Sequence, residues 1–376
     1  MFAQPPLWFI AIAFLFAIGP LVFIHEMGHY LVARWFGVGA EQFSIGFGRE
    51  IVGWTDKRGT RWKVGWLPLG GYVRFVGDMN PASQAMADAE LSPEQRVVAF
   101  HNKSWWKRFL IVLAGPMANF LLAIVMIAVF FATFGMPQTP NRAVLIQPGS
   151  TASIAGIRTG DRITAIAGRE TATFEDIRRI VSMRPGEVVR IEFVRNGERR
   201  SATQKLGEQI ERDKFGQTFR TGLLGVYGGR YVLTRLGADA LLPAAFNHTV
   251  KITRSMMDGL WQIISGRRSV KELGGPLKMA QIAGQQASLG AFEFFQLLAL
   301  FSINLGFINL LPVPMLDGGH LVFYAAEAVR RKPVSARVQE WAFRGGLAML
   351  LALILFTTAN DLDSFGLFER LGRLIG

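Results

Sequence analysis

Residues 7–30 read LWFIAIAFLFAIGPLVFIHEMGHY, an apolar run that ends in His25-Glu26-Met27-Gly28-His29. If the run is helical, His25 and His29 lie one turn apart on one face, where two imidazoles can hold a zinc ion with Glu26 beside them as a general base. The alternative is a pair of ordinary helix histidines that bond to backbone or water. The chain holds only five histidines, which argues against a chance match to this pattern.

The run that precedes the motif predicts a membrane helix. No charged residue occurs from Leu7 to Ile24, a length that crosses most of a bilayer core. A signal peptide is the competing explanation, but the segment lacks a basic start, and the histidine motif would straddle the cleavage zone. Ionisable residues at membrane depth are costly, so the motif is expected to be functional.

Composition agrees with an integral membrane protein that carries some soluble mass. Half of the 376 residues are hydrophobic, and the mean hydropathy is positive. The net charge of +13 is explained by basic flanks that meet anionic headgroups of membrane lipid, so we expect no nucleic-acid partner. The chain has no cysteine, which excludes disulfides and thiolate metal sites.

The periodicity predicts a mainly α membrane protein with four transmembrane helices, a membrane-associated β-hairpin and one inserted extracytoplasmic PDZ (α/β) domain. The predicted segments are transmembrane helix 1 (1–36), a cytoplasmic hairpin loop (37–106), helix 2 (107–136), the PDZ domain (140–207), extracytoplasmic amphipathic helices (208–291), helix 3 (292–325), a cytoplasmic loop (326–340), helix 4 (341–362) and a tail (363–376).

Basic residues set the predicted orientation. The loops 37–106 and 326–340 are rich in Arg and Lys, and short basic loops stay in the cytoplasm. The PDZ domain is then outside, and the histidine motif lies near the cytoplasmic side of the membrane.

The stretch 61–76, RWKVGWLPLGGYVRFV, places aromatic and β-branched residues around a Pro/Gly turn and predicts a hairpin. The hairpin either dips into the bilayer beside the site, where its backbone must be paired or line a cavity, or is a plain amphipathic hairpin in the cytoplasm.

The second span contains Gly115-Pro116-Met117-Ala118-Asn119-Phe120. Its small residues allow close helix packing, and Asn119 brings an amide into the membrane. One interpretation is a packing kink. The other is a face that packs on the motif helix, with Asn119 orienting that helix or the substrate.

Residues 144–206 change to short strands and turns, and QPGSTASIAGIRTGDRITAIAG (147–168) resembles the PDZ family. PDZ domains bind an extended peptide at a sheet edge. The alternative is a β-rich domain without a ligand.

A catalytic zinc takes three protein ligands, so the histidine pair needs one more. The candidates are Asp317 and His320, in the segment NLLPVPMLDGGH (309–320). Two prolines unwind the chain ahead of Asp317, and an acidic residue at membrane depth beside such a break is hard to explain as packing. Chemistry favours Asp317 and leaves His320 as the alternative.

The combination of HEMGH, GPMANF, a PDZ segment and NLLPVPMLDGGH resembles the site-2 proteases, which are intramembrane zinc metalloproteases, and in particular their bacterial RseP-type branch. The best-known members carry two PDZ domains, whereas this sequence shows one. The resemblance implies Zn2+ bound by His25, His29 and Asp317, with Glu26 as the base. It further implies supporting or substrate-binding roles for Asn309, Asn304, Gly70, Gly71 and Tyr72.

By this resemblance the function is peptide-bond hydrolysis in single-span membrane proteins, such as a pre-trimmed anti-sigma factor or signal-peptide remnants, in the bacterial inner membrane. A peptide ligand of the PDZ domain is a further possible partner. Two alternatives stay open: a metal-dependent membrane enzyme acting on a lipid or small molecule, and a non-catalytic PDZ scaffold.

Overall fold

The computed structural model describes residues 5–77, 91–212, 218–266, 270 and 274–364. The chain divides into two compact units. The first comprises Met1–Ile127, Ala244–Gly259 and Val270–Gly376, and the second comprises Ala128–Pro243 and Leu260–Ser269.

The helices are, in chain order, α1 (Leu7–Trp35), α2 (Pro93–Val98), α3 (Trp105–Phe134), α4 (Thr151–Ile154), α5 (Phe174–Ser182), α6 (Ala238–Ile264), α7 (Pro276–Leu289), α8 (Ala291–Asn309), α9 (Asp317–Arg330) and α10 (Ala336–Ser364). The strands are β1 (Ala40–Thr55), β2 (Arg61–Phe75), β3 (Met136–Gln138), β4 (Leu145–Ile146), β5 (Arg162–Ile166), β6 (Arg169–Glu170), β7 (Val188–Arg195), β8 (Glu198–Lys205), β9 (Gly207–Arg212), β10 (Thr218–Leu223), β11 (Val226–Tyr227) and β12 (Val232–Thr234).

Four of the described helices, namely α1, α3, α8 and α10, are long and apolar enough to cross a membrane. Each falls within or around one of the four predicted spans. Most of the predicted tail (363–376) lies outside the described residues, which end at 364.

The third predicted span, 292–325, is divided in the structure. Helix α8 ends at Asn309, and α9 begins at Asp317. Pro312 and Pro314 lie in the break, where proline has no N–H to donate and its ring clashes with the preceding turn. Asp317 is therefore the first residue of a new helix.

Helix α7 lies in the range predicted as amphipathic helices on the outer membrane surface, and within the first unit it packs against α1 and α8. Ala17 and Leu21 form a buried cluster with Ala283, Leu297 and Phe301. Close approach requires the small residue next to Ala283, since a Cβ on Gly284 would lie 2.6 Å from Cγ1 of Ile10. This contact fixes the first half of α1.

Strands β1 and β2 form a folded sheet rather than the predicted hairpin of 61–76. The reversal between them is at 56–60, where Asp56 Oδ1 accepts hydrogen bonds from the Arg58 and Thr60 amides. Residues 42–45 pair with 71–74 on one side and with 61–64 on the other. The Pro/Gly segment therefore joins two stretches that do not pair with each other, because β1 lies between them.

The second unit contains the four-stranded sheet β6-β5-β7-β8, with α5 packed on one face. Ile163, Ile191 and Phe193 on the strands meet Ile177 and Ile180 on the helix in one buried core. We call residues 136–234 the PDZ-like unit. Beneath the sheet edge, Arg195 donates to both carboxylate oxygens of the buried Asp161, at 2.9 and 2.7 Å.

The PDZ-like unit extends past the predicted boundary at residue 207. Leu224 and Val226 belong to the same hydrophobic core, and β4 pairs with β11 while β3 pairs with β12. The sequence pattern missed this because β11 and β12 are only two and three residues long.

Candidate active site

Helix α1 carries the three polar residues of the HEMGH motif into the interior. His25, Glu26 and His29 are 7%, 8% and 8% exposed. Gly28 lets this turn of α1 approach α3, because a Cβ there would lie 2.8 Å from that of Ala118. The face of α1 that carries the two histidines therefore packs against α3.

The start of α9 brings a third donor to the histidine pair. Asp317 Oδ2 lies 3.1 Å from Nε2 of His25 and 3.4 Å from Nε2 of His29. The two Nε2 atoms are 3.3 Å apart. Among the described residues, these three form the one group of side chains arranged to hold a metal ion. His320 does not belong to it.

The spacing of the three donors fits a zinc ion. Tetrahedral Zn2+ with Zn–N bonds of about 2.0–2.1 Å separates neighbouring ligand atoms by about 3.3 Å, and the three measured separations lie close to this value. Asp317 Oδ2 is buried and accepts no hydrogen bond within the described part of the chain. A buried carboxylate oxygen against two imidazole nitrogens requires a cation or protons between them.

The second nitrogen of each histidine is held by α3. His29 Nδ1 lies 2.9 Å from the carbonyl oxygen of Ile111 and must donate its proton there, because a carbonyl only accepts. Nε2 of His29 then carries a lone pair that faces Asp317. This is the tautomer that a metal ligand needs.

His25 has the equivalent partner in Asn119, which is fully buried. The Asn119 amide nitrogen is 3.1 Å from Nδ1 of His25, while Asn119 Oδ1 has no hydrogen-bond partner among the described residues. A half-turn of the carboxamide places Oδ1 against Nδ1, where it accepts the imidazole proton. Asn119 Oδ1 then has the donor that it otherwise lacks, and His25 Nε2 is free to bind metal.

A cavity of about 270 Å³ opens on this cluster. It is lined by the motif residues, by Asp317 and His320, by the β2 segment 71–73 and by Asn309. Asn309 donates to the Leu305 carbonyl, and Tyr72 bonds Gln42 at 3.1 Å. Asn304, on α8, and Gly70 are not among the residues that line it.

Two contributions to the site were not anticipated from the sequence. A Cβ at Gly115 would overlap the His29 ring, so glycine leaves space for a site histidine. The backbone amide of Val73 hydrogen-bonds Glu26. The Gly115 signal was present in the GPMANF motif, whereas the role of Val73 depends on where the β2 edge lies.

Comparisons with known proteins agree with this geometry. The sequence pattern of Peptidase family M50 matches residues 13–353. A relative from Agrobacterium fabrum is 40% identical, covering 94% of this chain and 95% of that protein, and one from Mesorhizobium japonicum is 42% identical over 93% and 98%. Their names describe candidate zinc metalloproteases. The metalloprotease MmpA of Caulobacter vibrioides is 36% identical over 96% and 98%.

The chain therefore belongs to Peptidase family M50, the site-2 protease family of zinc metalloproteases, and its cofactor is zinc. A solved PDZ domain from Listeria monocytogenes is 20% identical, covering 23% of this chain and 84% of that chain, with a TM-score of 0.19. At so low a score, the character of the PDZ-like unit rests on its own strands and helices.

Proposed function

We propose that this protein is an intramembrane zinc endopeptidase, with His25, His29 and Asp317 as metal ligands and Glu26 as the catalytic base. The observation that carries the proposal is the convergence of three donor atoms, 3.1–3.4 Å apart, beside a buried glutamate on a helix of spanning length. Zinc in such a site polarises a carbonyl and lowers the pKa of water.

Glu26 performs the proton transfers. Its carboxylate takes a proton from the water that adds to the scissile carbonyl carbon, and it passes that proton to the nitrogen as the C–N bond breaks. Among the groups at the site, Glu26 is the carboxylate outside the three-donor cluster, which leaves it available as the base. The Val73 amide faces this carboxylate and helps to orient it.

The β2 segment 71–75 offers an edge for the substrate. In an antiparallel pair the backbone groups of alternate residues point to the same side. Because the Val73 amide reaches Glu26, the backbone groups of Gly71 and Val73 face the cavity, while those of Tyr72 face β1. An unwound peptide that pairs with this edge would lie along the site. We assign Gly71 to this edge, Gly70 and Tyr72 to the strand that carries it, and Asn309 to the cavity wall.

Its substrates, in this proposal, are single-span membrane proteins, including a pre-trimmed anti-sigma factor or signal-peptide remnants, and cleavage releases a fragment to the cytoplasm of a bacterium. The basic loops favour a site on the inner side of the cytoplasmic membrane. A reporter fused after Gly197 is then active outside, and one fused at Lys57 or Arg331 is active inside. Opposite results would place the site on the wrong side for releasing a cytoplasmic fragment.

The PDZ-like unit holds none of the three metal-site donors. We propose that it limits which substrates reach the site. Replacing residues 136–234 with a flexible linker should then accelerate cleavage of a substrate that keeps a large outer portion. If the unit instead recruits a substrate tail, even a trimmed substrate is cut more slowly. Unchanged cleavage of both substrates would contradict both roles.

Zinc content and proteolysis together test the chemistry. The full-length protein should hold about one zinc, and His25→Ala and Asp317→Ala should lose it. Glu26→Gln should keep zinc and lose cleavage, because it removes the base and no ligand. Asp317→Ala with full activity would contradict the ligand set. Membrane peptides trapped by Glu26→Gln would separate this protease from a lipid enzyme or a non-catalytic scaffold.

A further inference from the structure

His320 stands at the boundary between the active-site cavity and a second cavity. The second one has a volume of about 250 Å³ and shares Phe100, His320 and Tyr324 with the first. His320 is on α9, three residues after Asp317, so the two side chains project from the same side of the helix. Among the described residues it is the one ionisable side chain, other than tyrosine, that lines both cavities.

The nitrogens of His320 are uncommitted, unlike those of the other two histidines at the site. His25 and His29 each bond α3 through Nδ1. Across the described residues, His320 makes no hydrogen bond or ion pair. Its neighbours are rings, Phe343 at a centroid distance of 5.0 Å and Tyr324 at 6.5 Å. A cavity-lining imidazole with open nitrogens can serve a ligand in the cavity.

Packing restrains the imidazole without occupying its polar atoms. Phe343 belongs to α10 and Tyr324 lies one turn further along α9, so two helices confine the ring. Phe343 is itself packed edge-on against Phe323 at 5.8 Å. A donor held in place before the reaction costs no reorganisation when charge develops near it, which is the property of an oxyanion-stabilising group.

We propose that His320 is a substrate-contacting catalytic residue that donates a hydrogen bond to the carbonyl oxygen of the scissile peptide as negative charge develops there. The imidazole keeps its proton throughout, and no bond to it forms or breaks. The inference rests on the proposed protease function and adds a group outside the metal ligands and the base.

Variants at His320 separate this role from metal binding and from packing. His320→Phe keeps a planar ring beside Phe343 and removes the donor. His320→Gln keeps an N–H donor on a flexible side chain. The matched control is His101→Gln, since His101 lines the second cavity but not the first. The probe is a synthetic single-span peptide with a fluorophore and a quencher, cleaved by the full-length protein in detergent.

Loss of one oxyanion donor typically lowers kcat by about 10²–10³-fold. We expect kcat to fall by about 100-fold in His320→Phe and by less in His320→Gln, with KM and the content of one zinc per chain unchanged. His101→Gln should keep kcat within about two-fold. A higher kcat in His320→Gln than in His320→Phe requires a hydrogen-bond donor at this position. A residue that only packs would not favour the glutamine.

Several outcomes would overturn the inference: wild-type kcat in His320→Phe, equal loss in His320→Gln and His320→Phe, or loss of zinc from both variants. If His320→Phe does not fold, His320→Leu decides, because it also lacks a donor, and wild-type kcat in that variant would deny the proposed hydrogen bond to the substrate. Failure of the protease function looks different, since the wild type would then leave the probe uncut or Glu26→Gln would cut it.

Discussion

Asn119 on α3 holds His25 on α1 through its carboxamide, 3.1 Å from Nδ1. The asparagine is itself fixed within the first unit, where Ser302 Oγ on α8 donates to its backbone carbonyl at 2.8 Å. One histidine of the proposed zinc site is thus oriented by a second helix that is in turn bonded to a third. Second-layer partners of this kind usually govern metal affinity.

Replacing Asn119 by aspartate and by leucine tests which ring nitrogen of His25 carries the proton. If Nδ1 donates to Asn119, aspartate preserves an acceptor, and Asn119→Asp should keep zinc affinity near that of the wild type. Asn119→Leu should lower it about 10–100-fold. Competition with a chelator measures both. Weaker binding by Asn119→Asp than by Asn119→Leu would show that Nδ1 accepts a proton instead.

Gly115 should be required for the position of His29. A Cβ at Gly115 overlaps the imidazole, and the ring cannot move away without leaving the Ile111 carbonyl or Asp317. Gly115→Ala should therefore reduce zinc affinity at least about ten-fold, although alanine favours a helix. Gly19→Ala on α1 is the control, since it would enter open space. Equal zinc affinity in the two variants would contradict the prediction.

Gly71 should matter for the base rather than for the metal. A Cβ there would lie 3.0 Å from Cγ of Glu26 and 2.7 Å from Cγ1 of Val22. Gly71→Ala should leave zinc bound and lower kcat by about 10–100-fold, because small displacements of a catalytic group are costly. Gly345→Ala, in open space on α10, should have wild-type kcat. Loss of zinc from Gly71→Ala would instead show that β2 positions the metal ligands.

Acid should destabilise the PDZ-like unit through Asp161. Burial by itself opposes ionisation, but hydrogen bonds from Arg195 and from the Arg158 amide outweigh it and hold the pKa of Asp161 below its ordinary value. The carboxylate therefore stabilises the fold above the unfolded-state pKa of about 4, and this contribution disappears as the pH falls through the lower, folded-state pKa.

Asp161→Asn should lower the free energy of unfolding of this unit at pH 7, and by more than an exposed ion pair would, since it removes the counter-ion of Arg195. Hydrogen-exchange protection of β5 and β7 amides in the full-length protein measures this, and wild type and variant should converge at low pH. Glu198→Gln is the control. Glu198 and its partner Arg200 are both exposed, so the loss of this ion pair should change stability little. A pH-independent difference would exclude Asp161 ionisation as the cause.

The sequence by itself determined the local chemistry. A charge-free run ending in HEMGH predicts both the span α1 and two ligands on one helix face, because both features depend only on helical periodicity. The prolines before Asp317 likewise predict a break, and the structure has one between Asn309 and Asp317. Family membership follows from the same motifs.

Only the tertiary structure decided which distant groups meet. Asp317 and His320 are three residues apart, and sequence chemistry favours Asp317 but leaves His320 as an alternative. The start of α9 brings Asp317 against the histidines and leaves His320 between two cavities. The predicted hairpin was wrong because β1 inserts between the two halves of β2, a long-range pairing that no local turn signal encodes. The bond from Val73 to Glu26 follows from that pairing, since a strand edge acquires its neighbours only when the chain has folded.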